Sequence, residues 1–90
     1  MRFAARVDVR LRPGIADPEG ATIARALPAL GFDDVREMQV GRCFRFEIDA
    51  ADEAVARQRA GALAQRLLAN PVIEQSELEL TALAPAGGRP

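Results

Sequence analysis

Phe3-Ala4-Ala5-Arg6-Val7-Asp8-Val9-Arg10-Leu11-Arg12 decides how the rest of the chain is read. Phe3, Ala5, Val7, Val9 and Leu11 fall on one side of an extended backbone, and Arg6, Asp8, Arg10 and Arg12 on the other. That two-residue period is the mark of a strand with one dry face. Pro13-Gly14-Ile15-Ala16 breaks it, and Asp17-Pro18-Glu19 then supplies an N-cap oxygen, a proline suited to the first helical position and a first-turn carboxylate. A helix is therefore expected to start there. Ile23, Ala26, Leu27 and Leu30 recur at helical spacing, and Gly31 sits where a left-handed C-terminal cap is needed, with Phe32 able to pack back on Leu27. Pro28 conflicts with this helix, because an interior proline removes a backbone hydrogen bond, so a kinked or distorted last turn is expected.

Further along, Val35 to Val40 reads as a second strand, although Val35, Met38 and Val40 do not share one parity, which implies a bulge or a late start. Gly41-Arg42 is a turn candidate. Phe44, Phe46 and Ile48 alternate with Cys43, Arg45 and Glu47 as a third strand, completing a hairpin. Asp49 and Asp52 open a second helix whose stripe of Ala56, Ala60, Leu63, Ala64 and Leu67 faces inward, ending at Asn70-Pro71. Val72 to Leu83 is the last strand, with Leu78 and Leu80 on one face and Glu77 and Glu79 on the other. The order strand, helix, strand, strand, helix, strand gives an α+β fold of βαββαβ, ferredoxin-like type: a four-stranded antiparallel sheet with two helices on one face. Its second face then carries Arg6, Asp8, Arg10, Arg45, Glu47, Glu77 and Glu79 as cross-strand ion pairs. Residues 1–83 make one domain and 84–90 a flexible tail.

Composition removes most chemistries. The 90 residues hold no His, Lys, Tyr or Trp, one Ser (Ser76) and one Cys (Cys43). Without His there is no Ser-His or Cys-His pair, without Lys no Schiff base, and one cysteine makes neither a disulfide nor a usual zinc site. Twelve arginines against 13 acidic residues leave a net charge of −1, with no basic surplus for phosphates, so nucleic acid is not expected as a partner. Leu, Ile, Val and Phe fill about a quarter of the chain, above the level of disordered sequences, but a domain this small buries only about 60 to 70% of its unfolded surface. Polar residues interleave from position 6, with neither a signal-peptide core nor an apolar run long enough to span a membrane, so a cytoplasmic protein with no membrane partner is expected.

The candidate sites have plain structural readings beside the functional ones. Turning Phe44 and Phe46 outward to stack on RNA bases would drive Arg45 and Glu47 into the core, so the two rings are assigned to packing. Cys43 is a strand residue. Asp33-Asp34 and Asp52-Glu53 sit beside helix ends and are assigned to capping or solvated loops. Pro13 to Gly20 resembles an anion-holding loop but lacks the G-x-G-x-x-G and G-x-x-x-x-G-K-[ST] patterns, which leaves a tight connection or a partner-contact loop.

Two stretches carry a family resemblance. Val7-Asp8-Val9-Arg10-Leu11-Arg12-Pro13-Gly14-Ile15-Ala16-Asp17-Pro18-Glu19-Gly20, followed by Ala26-Leu27, Leu30-Gly31-Phe32, Val35 and Val40-Gly41-Arg42, resembles the PurS family in order and spacing. Leu67-Leu68-Ala69-Asn70-Pro71-Val72-Ile73-Glu74 resembles that family's second signature. The resemblance implies a small subunit of phosphoribosylformylglycinamidine synthase. In that complex formylglycinamide ribonucleotide, glutamine, ATP and water give formylglycinamidine ribonucleotide, glutamate, ADP and phosphate. It further implies a non-catalytic bridge between a glutaminase subunit and a large synthetase subunit, association with itself as a dimer or higher form, and no cofactor bound by this chain, ATP and magnesium being used by the complex. Pro13, Gly14, Asp17, Gly20, Arg42, Asn70 and Glu74 are the residues expected at partner contacts or in assembly, with no catalytic or metal residue. The alternative of a different class is a ferredoxin-like regulatory dimer that binds a small molecule such as an amino acid.

Overall fold

The computed structural model describes residues 1–84; the tail expected at 84–90 lies, past Ala84, outside the described residues. Strand β1 (Arg2–Leu11) is the middle of a three-stranded antiparallel sheet, flanked by β2 (Gly41–Asp49) and β3 (Glu74–Ala82). Pairing runs from Arg2↔Asp49 to Arg10↔Gly41 on one side and from Phe3↔Ala82 to Leu11↔Glu74 on the other. This register puts Phe3, Ala5, Val7 and Val9 on one face, all buried, with Phe44, Phe46 and Leu78 half-buried against Val7 and Val9. The charged face is as the alternation implies: Arg6 reaches Glu79 at 2.6 Å, Arg10 reaches Glu77 at 2.6 Å and Arg2 reaches Asp49 at 3.0 Å. Such exposed pairs each contribute only about 0 to 1 kcal/mol, so the buried face carries the stability.

One helix covers the dry face. Helix α2 (Glu53–Leu63) is capped by Asp52, which accepts from the Val55 N–H at 2.9 Å, and it lays Ala56, Ala60 and Ala64 on the sheet with 0, 0 and 2% exposure. Alanines four apart make a narrow ridge that lets the helix lie close. The helix then widens into a π-turn over Ala64–Leu68, closed by the Ala69 N–H on the Ala64 carbonyl at 2.8 Å. The extra residue shifts the helical phase. Leu67, expected inward, is 75% exposed, and Leu68 takes its place against the core.

Helix α1 (Pro18–Ala26) follows the expected start signals: Asp17 caps it, Pro18 opens it and Glu19 lies in its first turn. As Pro28 implies, its last turn is distorted. The α-helix ends at Ala26, Pro28–Leu30 form a 3₁₀ turn, and Gly31 closes it in the left-handed conformation at φ 89°. The packing differs from expectation. Gly20 is the helix's one buried residue; of the expected apolar stripe, Ile23 in the helix and Leu30 in the 3₁₀ turn are exposed and Leu27 is half-buried. The molecule spans 53 Å, against about 33 Å for a ten-residue strand, and its radius of gyration is 17.4 Å where a compact chain of this length gives about 12 Å.

The expected four-stranded sheet is corrected accordingly: among the described residues it has three strands, and only α2 is packed on it. Residues 35–40 form no strand and no hairpin with β2, and Gly41 begins β2 instead of turning into it. The local cause is Glu37, whose φ of 56° is left-handed and interrupts an extended run. Further on, the Val40 N–H donates to Asp17 at 3.0 Å, which commits that end of the segment to the root of α1.

Candidate functional site

At the end of the sheet where β1 stops and β2 and β3 start, an open cleft of about 620 Å³ lies between the sheet and the root of α1, with Asp17, Arg42 and Glu74 on its walls. Asp17 uses both carboxylate oxygens. Oδ1 accepts from the Gly20 N–H at 2.9 Å, capping the helix, and Oδ2 accepts from the Val40 N–H at 3.0 Å, closing the neck of the excursion from Pro18 to Gln39. Those amide donors, Gly20 first and then Val40, hold its carboxyl below the usual carboxylate range. A Cβ at Gly20 would lie 2.6 Å from Asp17 Oδ2 and 2.9 Å from the Met38 carbonyl, so the neck closes only around glycine.

On the opposite wall, Glu74 ties three segments together. Its Oε1 accepts from the Asn70 N–H at 2.7 Å, and Arg42 donates to both oxygens at 2.9 and 3.0 Å. The Asn70 amide and then Arg42 lower its pKa, against the opposing effect of burial. Arg42 also lies 5.4 Å over the ring of Phe44. Asn70 closes the turn in both directions: its carbonyl accepts from the Glu74 N–H at 2.7 Å, and its Oδ1 accepts from the Val72 N–H at 3.1 Å. Arg12, which the sequence reading passed over, completes this corner by donating from Nε to the Pro71 carbonyl at 3.0 Å.

The residues named from sequence thus fall into two groups. Asp17, Gly20, Arg42, Asn70 and Glu74 are gathered around the cleft and its rim, linked through hydrogen bonds and the Val40-Gly41-Arg42 segment. Pro13 and Gly14 sit apart in an exposed turn, with Gly14 at φ 87°, beside a second hollow of about 370 Å³ that reaches Asp17 and residues 37–40. The cleft's two hydrogen-bonded carboxylates are held ionised at neutral pH, which disqualifies both as proton donors there. Cys43 is exposed on the far face of β2. Among the described residues no three His, Cys, Asp or Glu side chains converge as metal ligands, and no helix is long and apolar enough to cross a membrane. Leu67 and Val72, 75 and 79% exposed, were also missed as surface features; the Leu67-Leu68 doublet was the available signal, since either leucine can occupy the inward phase.

A small α+β module whose polar groups hold its own segments in place, and whose first helix is left off the sheet, is the class of protein this arrangement defines: a subunit of a larger assembly. The family model described as phosphoribosylformylglycinamidine (FGAM) synthase, PurS, matches residues 4–82, and the chain belongs to the PurS family. The PurS subunit of Synechocystis sp. is 38% identical over 81 residues, covering 90% of this chain and 81% of that protein. The crystal structure of Thermus thermophilus PurS superposes with a TM-score of 0.81 at 35% identity, covering 93% of this chain and 100% of that one. A chain in the Thermotoga maritima PurLQS structure does so with a TM-score of 0.83 at 28% identity, covering 90 and 99%.

Proposed function

We propose that this chain is the non-catalytic small subunit of the FGAM synthase complex of purine biosynthesis, bridging its glutaminase and synthetase subunits and associating with further copies of itself, in the cytoplasm. Membership of the PurS family carries the assignment to FGAM synthase. The bridging role is supported by the cleft, where Asp17, Arg42 and Glu74 are engaged in hydrogen bonds that hold the chain's own segments together. Self-association is supported by the exposure of Ile23, Leu30 and Phe32 along the α1 excursion. ATP and magnesium belong to the synthetase subunit in this reading, and this chain binds no cofactor.

The test compares FGAM formation by the matching glutaminase and synthetase subunits with and without this protein, using glutamine or free ammonia. The expected result is glutamine-dependent turnover that requires the chain and ammonia-dependent turnover that changes little. Equal turnover with and without it, and no co-elution of the three proteins, would overturn the reading. Calorimetry against amino acids and purine intermediates covers the regulatory-dimer alternative.

A further inference from the structure

The corner from Ala64 to Glu74 spends its polar groups on itself and leaves apolar side chains in solvent. Asn70 and Glu74 are taken up by backbone amides and by Arg42. The end of β1 clasps the corner twice, the Arg12 N–H donating to the Ile73 carbonyl at 2.8 Å and its Nε to the Pro71 carbonyl at 3.0 Å. Leu67 and Val72 are nevertheless the two most exposed large apolar side chains among the described residues, with Ile73 exposed beside them. Apolar groups presented on a backbone that is already fixed lose little freedom when another surface covers them. Resting on the subunit reading above, we propose that this corner is the seat of a different protein, one of the two enzyme subunits of the complex, which meets it with an apolar surface flanked by carboxylates.

Charge sets the character of that partner. Arg66 in the π-turn and Arg12 at the end of β1 belong to the corner, and neither enters an ion pair among the described residues. The bond from Arg12 to a carbonyl leaves its charge uncompensated. Arg59, exposed and likewise outside those ion pairs, adds the same sign along α2. The corner's one carboxylate, Glu74, is largely covered and already holds Arg42 and the Asn70 amide. Of the nearest other acids, Asp17 and Glu19 stand on the far wall of the cleft, Asp17 occupied by Gly20 and Val40, and Glu77 is paired with Arg10 on the open face of the sheet. The corner is therefore basic in a chain whose net charge is −1. Carboxylates on the incoming surface would fix its orientation and speed the encounter, while Leu67 and Val72 supply the desolvated centre.

The full-length chain tests the seat when it is titrated, in the glutamine assay mixture, against the fluorescently labelled glutaminase and synthetase subunits, each alone and with the other present. L67A/V72A and R66D should each weaken binding to one of the two subunits by about tenfold or more, and R66K should stay near wild type. Circular dichroism and sedimentation should show fold and self-association unchanged, because the substituted residues are exposed. Wild-type affinity for both subunits in L67A/V72A and R66D would overturn the seat while keeping the subunit reading. Loss of self-association in these variants with subunit binding intact would also overturn it and give the corner to a second copy. A wild-type chain that binds neither subunit would overturn the subunit reading itself, and the seat with it.

Discussion

The corner from Ala64 to Glu74 and the excursion from Pro18 to Gln39 meet the same end of the sheet but are held in opposite ways. At the corner, Glu74, Asn70 and Arg12 bind backbone amides and carbonyls, Arg42 reaches in from β2, and Leu68 anchors the turn to the core. The excursion buries Gly20 alone in its helix and is joined to its neck by the single carboxylate of Asp17. One region is fixed by contacts within the chain; the other has its direction set at the root and its apolar residues left exposed among the described residues. Local stability should differ accordingly, because opening free energy follows buried contacts and protected hydrogen bonds.

The strongest way to break this comparison is Val7→Ala. Val7 is fully buried in β1, and truncating it should remove about 2 to 3 kcal/mol from global stability. Hydrogen exchange in dilute protein should then accelerate in β1, β3 and the corner while α1 keeps its wild-type rate; equal acceleration in α1 would show that it shares the core after all. Next comes the leucine doublet. Leu68→Ala should lose about 1 to 2 kcal/mol in chemical denaturation and Leu67→Ala less than about 0.5, because the π-turn buries the first and exposes the second. The reverse order would place an ordinary α-turn there.

A smaller and local effect is expected from D17N. The amide keeps one accepting oxygen, so it cannot cap Gly20 and hold Val40 as the carboxylate does, and exchange in α1 should rise about tenfold with the sheet unaffected. The smallest effect is on pH dependence. Asp17 and Glu74 both have folded pKa values below their unfolded ones, so their contribution is complete above the ordinary carboxylate range and is lost as pH falls through the depressed values. Thermal midpoints should be flat from about pH 7 to 5 and fall below about pH 4. D17N and E74Q should each shallow that fall.

What could be read in the sequence divides along the same line. Alternation in β1 gave the dry face, the buried valines and the charged second face, because a strand's parity is a local property. Asp17, Pro18, Gly31 and Asp52 announced helix ends for the same reason, through their own oxygens and backbone preferences. The fourth strand was not legible. Val35 and Val40 have strand propensity, but the left-handed turn at Glu37 and the bond from the Val40 amide to Asp17 are set by the local path of the chain and leave no mark in an apolar pattern. The α1 stripe was correctly seen as apolar, yet amphipathicity states that a face is to be covered without stating by which chain. The cleft was found in part: Asp17, Arg42, Asn70 and Glu74 came from the family resemblance, whereas Arg12 looked like one more outward residue of an alternating strand. The π-turn was hidden by two adjacent leucines that fit either phase.

Ala64 takes part in two arrangements at once. It is the last member of the alanine ridge pressed on the sheet, and its carbonyl closes the turn that orients Leu67. Any change in the gap between helix and sheet, such as a single larger side chain at Ala56 or Ala60, would therefore be carried along a rigid helix to the corner. There it would appear as a displacement of a surface leucine. A repacking that the interior tolerates would therefore still be felt outside the core, at a leucine that makes no part of it.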